Sequence, residues 1–452
     1  MQTLWAECAL LVDGWARDVR IDVSEGRIAR VTQGSPQVGQ RYGCLLPAPT
    51  NLHSHAFQRA MAGMTERRGA SADSFWTWRT LMYRFLDHLT PEDVQAIAAF
   101  VQMEMLEAGY AAVAEFHYLH HQPGGAPYAT LSEMSDRIAA AADETGIGLT
   151  LLPVLYERGG CDGRALTAGQ ARFGNDPDRF SRLWEGAARS LSHLPADTVL
   201  GVAPHSLRAV SRDGLRAAEA LAPTAPIHIH LAEQVAEVDE LLAHYGARPT
   251  EWLLANHAVD GRWCLIHATQ MAAHETLGLA ATGAVAGLCP MTEANLGDGI
   301  FDGVRFLGAG GRFGIGSDSN VRISLTEELR LLEYSQRLQG RGRAMLASEN
   351  RSTGRVLYEG AVQGGAQAAG RASGALRVGA VADLVALDMT AVDLAGRQGD
   401  GILDAWIFAG DDRMTSDVWA AGRHVVQGGQ HHARPVIEAR YRRVMAGLVG
   451  LL

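Results

Sequence analysis

Ile227-His228-Ile229-His230-Leu231-Ala232-Glu233 is a short apolar run that ends on a histidine and leads directly into helical sequence, Val235–Tyr245. A buried strand followed by an amphipathic helix is the unit of a parallel α/β sheet. The same texture recurs on both sides of it. Apolar runs at Gly43–Pro47, Ala111–Phe116, Gly148–Leu155, Thr198–Ala203, Ile227–Leu231, Trp263–His267, Ala284–Cys289 and Arg312–Gly316 make eight. Most precede helical sequence, as in Pro91–Ala108, where Thr90 is placed to cap and Pro91 to occupy the first turn. Helices are also read at Ser132–Thr145, Asp213–Ala222 and Ser324–Leu338. Eight such alternations predict an α/β chain folded as a (β/α)8 TIM-like barrel.

In such a barrel the chemistry sits at the C-terminal ends of the strands. Asn51-Leu52-His53-Ser54-His55 follows the first run, and alternation along an extended backbone puts both imidazoles on one face. His230 ends the fifth run, with Glu233 just beyond it. His267 ends the sixth, and Ser317-Asp318 closes the eighth. Taken singly, each is as well explained by a satisfied buried histidine or a chance pair among 17 histidines. Together, at four strand ends facing one mouth, they predict a metal site ligated by His53, His55, His230 and Asp318.

The two ends of the chain read differently. Ala9–Val12, Val19–Val23 and Ile28–Val31 are short strands separated by turns, and Val378–Asp388 and Asp417–Val426 repeat that pattern. We expect a small β-sandwich domain assembled from residues 1–46 and 371–435, the metal-binding barrel at 47–370, and a C-terminal helix at 436–452. Gly364–Gly374 is a small-residue-rich segment with no assigned role. The segment 62–87 is a candidate cover for the barrel mouth.

Bulk composition narrows the class. A net charge of −10 argues against a nucleic-acid or membrane-surface partner. The five scattered cysteines lack a CxxC pair, which fits reduced thiols in a cytoplasm. No run approaches the roughly 20 apolar residues of a membrane span, and no signal-peptide pattern opens the chain. Lysine does not occur, so all 40 basic residues are arginine. Schiff-base chemistry and a metal-bridging carboxylated lysine are thereby excluded.

The ordered set of HxH, HxHxxE around His230 and Glu233, the His267 strand and Ser317-Asp318 resembles the mononuclear deaminase branch of the amidohydrolase superfamily. The resemblance extends to Gly379-Ala380-Val381-Ala382-Asp383-Leu384-Val385 and covers nearly the whole chain. It implies one zinc ion per chain, with iron as the alternative. Glu233 then takes the proton of the activated water and passes it to the leaving nitrogen, His267 holds the developing charge, and Asp318 orients the water as well as ligating. Further stretches resemble the members of that branch that act on N-formimino-L-glutamate: Asn51–Gly63, Phe75-Trp76-Thr77-Trp78-Arg79, Pro204-His205-Ser206-Leu207-Arg208 and Leu288–Gly299. That likeness implies hydrolysis of a formimino C=N group to ammonia and N-formyl-L-glutamate. It also implies substrate contacts from Gln58, Arg79, Tyr118, His205 and Arg208. Physics agrees with a dicarboxylate, because two guanidiniums can each grip a carboxylate through two parallel hydrogen bonds. A homodimer is expected by the same analogy.

Against this, a randomly chosen arginine is usually a surface charge, Tyr118 could pack at a strand end, and His205 could support a neighbour. His120, His121, His431 and His432 read as exposed loop histidines, and Trp76 and Trp78 as residues that pack or cap the pocket. The competing functions are a deaminase acting on an aminopurine, adenosine derivative or triazine, and a non-catalytic scaffold. The first needs an aromatic slot without paired arginines; the second would have lost its ligands.

Overall fold

The structure, a computed structural model, describes residues 1–66 and 75–449, the side chains of 75–77 excepted. Part of the candidate cover at 62–87, the Trp76 side chain and the last three residues of the C-terminal helix lie outside the described residues.

Four strands open the chain: β1 (Gln2–Leu11), β2 (Gly14–Ser24), β3 (Arg27–Thr32) and β4 (Gln40–Pro47). The barrel follows with β5 (Thr50–Ser54), β6 (Ala112–His117), β7 (Gly148–Leu155), β8 (Val199–Leu200), β9 (Ala203–Pro204), β10 (Ile227–Leu231), β11 (Trp263–His267), β12 (Val285–Leu288) and β13 (Arg312–Ile315). The chain returns through β14 (Leu384–Leu387), β15 (Thr415–Ala420), β16 (Arg423–Gln427) and β17 (Gln430–His431) and ends in the helix Arg434–Val449.

The barrel strands are parallel and alternate with helices, and they are buried almost throughout, as expected where helices cover one face and the interior fills the other. The sequence reading differs from this in two places. Gly43–Pro47 is not the first barrel strand: it belongs to β4, which pairs with β1 and β14 in the terminal sheet. The true first strand, Thr50-Asn51-Leu52-His53-Ser54, carries a single aliphatic residue and so gives no apolar run. The run Thr198–Ala203 is split, with Gly201 separating two short pairings made by β8 and β9 to β7.

The barrel closes through isolated bridges. Val202 and Ser206 bridge to Ile227 and His230 on one side, and Ser54 bridges to Asp318 on the other. At this second seam Asp318 N–H donates to the His53 carbonyl (2.9 Å) and His55 N–H to the Asp318 carbonyl (3.0 Å). Side chains complete the join. Asn51 and Ser317 exchange two hydrogen bonds of 2.6 and 3.1 Å. Asn320 Nδ2 donates to the His55 carbonyl at 3.0 Å. Gly316 permits the approach, since a Cβ there would lie 2.7–2.8 Å from atoms of His53. The small residues near 364 have the same role: on the helix Thr353–Ala368, a Cβ at Gly364 would lie 1.8 Å from the Phe313 carbonyl oxygen.

The terminal strands form one eight-stranded sheet in the order β17-β16-β15-β14-β4-β1-β2-β3. It curls back on itself, Arg27 bridging to Val381, around a core that includes Leu4, Val19, Ile21, Leu45, Leu384 and Trp419. A buried ion network fastens this sheet to the barrel. Arg371, with a side chain 1% exposed, lies 3.0 Å from Asp383 and 3.1 Å from Asp197. Asp197 also takes Arg423 at 2.7 Å, and Asp383 accepts the Ala421 N–H at 2.8 Å. Removing one member leaves buried charge uncompensated. Asp383→Ala is therefore expected to cost about 3–5 kcal/mol, read as a lowered urea midpoint, with turnover per folded molecule unchanged.

Three of the histidines read as exposed are buried. His120 Nε2 pairs with the Val154 carbonyl (3.0 Å), His121 Nε2 with Gly174 and Asn175 (both 3.0 Å), and His431 Nε2 with Thr145 (2.8 Å). Backbone acceptors in a strand, a loop and a helix end, invisible in sequence, draw them inward; His432 is exposed. All five cysteines are free. Among the described residues no helix is long and apolar enough to cross a membrane.

Candidate active site

His53 and His55 project from the end of β5, His230 from β10, His267 from β11 and Asp318 from just past β13. Three strand ends turn sharply there. Ala232, His267 and Asp318 have φ of 53°, 71° and 47°, the left-handed region that costs a non-glycine residue free energy and recurs at functional sites.

The donor atoms converge. His53 Nε2 and His55 Nε2 lie 3.2 and 3.1 Å from the same Asp318 oxygen, and His230 Nε2 is 3.1 Å from His53 Nε2. Four ligands about 2.0–2.1 Å from a tetrahedral zinc stand roughly 3.3 Å apart, so these separations fit a metal polyhedron. Tautomers agree with that use. His55 Nδ1 faces the Phe116 carbonyl at 3.0 Å and His230 Nδ1 the His205 carbonyl at 3.2 Å. A carbonyl only accepts, so each Nδ1 carries the proton and each Nε2 presents a lone pair. Burial pushes the His53 imidazole down to about 3 and His230 well below its ordinary value, which keeps both neutral.

His267 also falls within the cluster: with His53, His230 and Asp318 it forms a quartet whose ligand atoms lie within 4.8 Å of one another. Its Nε2 nevertheless stands farther out, 4.0 Å from Asp318 Oδ2 and 3.8 Å from Glu233 Oε1. Burial opposes its charge, yet Glu233, Glu293 and Asp318 outweigh burial and hold the ring up to about 10. It stands beside His53, His55, His230 and Asp318 as a ring biased toward its charged form by the three carboxylates. Burial opposes charge on Asp318 too, but hydrogen bonds from His53 and His55 hold it well below the usual carboxylate range.

Glu233 is 6% exposed, and burial raises its carboxyl above the ordinary value. Glu237, fully buried, accepts the Ala232 N–H (3.2 Å) and the Glu233 N–H (3.1 Å), fixing the turn that carries Glu233. Its other neighbour is Arg208, 4.0 Å away.

The cluster forms the floor of a pocket of ≈ 570 Å³ whose walls include Gln58, Arg79, Tyr118, Tyr156, His205 and Arg208. The structure thus gathers all the residues named from the sequence at one mouth. Gln58 Nε2 donates to Tyr118 Oη at 2.7 Å, while its buried Oε1 has no partner among the described residues. The buried Arg208 Nε is likewise without a partner. Arg79 Nη2 donates to Tyr156 Oη at 2.9 Å. Trp78 lines the pocket.

Sequence reasoning missed Glu237, Tyr156, Glu293 and Asp298. Glu293 Oε1 sits 3.3 Å from His267 Nδ1, and Asp298 accepts from Gln234 next to Glu233. Glu237 reads as one more acid on an amphipathic helix; only the buried face of that helix distinguishes it.

The profile of the Amidohydrolase family matches residues 44–425, and that of the "Formimidoylglutamate deiminase HutF, N-terminal domain" matches residues 1–41. The chain belongs to the amidohydrolase family. It is 48% identical to the formimidoylglutamate deiminase of Pseudomonas aeruginosa over the whole of both chains. The crystal structure of an amidohydrolase from Brucella melitensis superposes with a TM-score of 0.96 at 51% identity, covering 99% of this chain and 100% of that one. A zinc-bound adenosine deaminase from Xanthomonas campestris, 20% identical, shares the amidohydrolase fold at a TM-score of 0.83 over 99% and 98% of the two chains.

Proposed function

We propose that this amidohydrolase hydrolyses the formimino group of N-formimino-L-glutamate, releasing ammonia and N-formyl-L-glutamate in histidine degradation. The single observation that carries this reading is 48% identity along the full length to a formimidoylglutamate deiminase. A supporting feature is that Arg79 and Arg208 line the same pocket as the donor cluster, and a dicarboxylate needs cations.

His53, His55, His230 and Asp318 hold the metal, one zinc ion per chain, and His267 is left out of the ligand set by its greater distance. Zinc supplies Lewis-acid activation, lowering the pKa of a water to about 7. Arg79 and Arg208 grip the carboxylates, and Gln58 Oε1 takes an N–H of the amidine. Tyr118, hydrogen-bonded to Gln58, and His205, whose ring packs 4.9 Å from that of His230, complete the wall beside the formimino carbon. Glu233 takes one and then the other proton of the attacking water on its carboxylate and delivers each to the leaving nitrogen, so that the imino =NH departs as ammonia as the carbonyl forms. The His267 Nε2–H donates toward the oxygen as charge develops there. A cytoplasmic homodimer belongs to the same reading.

Purified zinc-loaded protein is expected to release one ammonia and one N-formyl-L-glutamate per N-formimino-L-glutamate, measured by coupled assay and mass spectrometry. Arg208→Met is expected to raise KM by about 100-fold or more, as loss of a desolvated charge-assisted pair does. Turnover of aminopurines with none of formiminoglutamate overturns the proposal.

A further inference from the structure

Tyr156 follows β7 at the pocket wall, 3% exposed, its ring 4.5 Å from that of His205. Among the described residues its hydroxyl oxygen has two hydrogen-bond partners, and both are donors. Arg79 Nη2 lies 2.9 Å away, and a guanidinium has no acceptor. Gln170 Nε2 lies 2.8 Å away. The orientation of that amide is settled on its other side, because Gln170 Oε1 accepts the Thr167 backbone N–H at 2.9 Å and the Thr167 hydroxyl at 3.0 Å. A phenol oxygen receiving two donors still carries its own hydrogen, and among the described residues no acceptor takes it. A buried donor left without an acceptor is costly.

We propose that Tyr156 is a substrate-binding and specificity residue: its hydroxyl hydrogen is kept for the carboxylate that Arg79 holds. Arg79 and Gln170 fill the acceptor side of the oxygen, so the hydroxyl presents its hydrogen to an incoming anion. The ligand class is an organic carboxylate. A neutral aminopurine can offer only uncharged ring acceptors here, so the charge-assisted pair favours a carboxylate over it. The inference rests on the deiminase reading for the identity of the substrate, but the geometry is independent of the reaction.

Tyr156→Phe removes the hydroxyl and leaves the ring. Its KM for N-formimino-L-glutamate is expected to rise about 10- to 100-fold with kcat nearly unchanged, the loss of one hydrogen bond to a charged group. Two monocarboxylate analogues, each lacking one of the two carboxylates, separate recognition from structure. One analogue should be turned over equally well by wild type and variant, because it lacks the carboxylate that Tyr156 contacts. An equal penalty on both analogues and the full substrate makes the hydroxyl a structural support for Arg79 and overturns the proposal, as does no penalty on any. If wild type fails to turn over formiminoglutamate, the deiminase reading falls alone, and titration calorimetry with N-formyl-L-glutamate decides Tyr156. Tighter binding by wild type than by the variant upholds it; equal binding, or none by either, overturns it.

Discussion

Glu233→Gln is expected to lower kcat by about 10²- to 10⁴-fold while leaving metal content and KM nearly unchanged. The substitution keeps the shape of the side chain and removes only its capacity to take a proton. Glu233 stands outside the donor quartet, its oxygen 3.8 Å from His267 Nε2. Its position is set through the backbone, by Glu237 accepting the Glu233 N–H and by the left-handed turn at Ala232. An amide at 233 therefore settles in the same place. Ammonia release at saturating substrate, with metal analysis of the same sample, reads the effect. A fall smaller than about 10-fold removes Glu233 as the proton carrier.

Asp318→Ala is expected to abolish measurable turnover and to loosen the site's hold on its metal. One Asp318 oxygen stands 3.1–3.2 Å from two histidine nitrogens, so in the proposed site the carboxylate would both ligate and gather the other donors. A four-ligand zinc site is worth roughly 10–16 kcal/mol. Losing a quarter of that is on the order of 3 kcal/mol, or about 100-fold in affinity. Dialysis against a chelator of graded strength, followed by elemental analysis, should strip the variant at least this much more readily. The backbone hydrogen bonds of residue 318 survive the change, so circular dichroism should show a folded chain. Retention of metal at wild-type affinity would move Asp318 out of the ligand set and bring His267 into it.

The parts of the fold legible in the sequence were those in which one signal dominates. Ile227–Leu231, Trp263–His267 and Val235–Tyr245 coincide with the observed elements, because each combines an apolar period with clear ends. Thr90 caps its helix as its side chain suggested, accepting from Asp93 N. β5 was hidden because tight packing against glycines, not aliphatic bulk, buries it. The donor histidines could be named since they stand at successive strand ends in ligand-like spacing. Tyr156 and Asp298 could not, because their importance lies in partners far along the chain, and Glu237 could not, because nothing local marks its carboxylate as bonded to the backbone of the turn before it. His120 and His121 mislead for the same reason, their polarity being satisfied by carbonyls that no local pattern announces.

The seam between β5 and β13 has a consequence for the order of events as the chain is made. Asn51 is joined to Ser317, 266 positions later, and the Asp318 backbone is bonded to both His53 and His55. Contacts this distant form only after a large loop has closed, and synthesis delivers the N-terminal partner first. A growing chain that has exposed His53, His55 and His230 still lacks the carboxylate that draws them together. The complete donor quartet therefore comes into being only once about 320 residues have left the ribosome. With the proposed ligands, the early imidazoles alone would hold a metal only loosely, and selection of the metal would wait for a segment in the last third of the 452-residue chain.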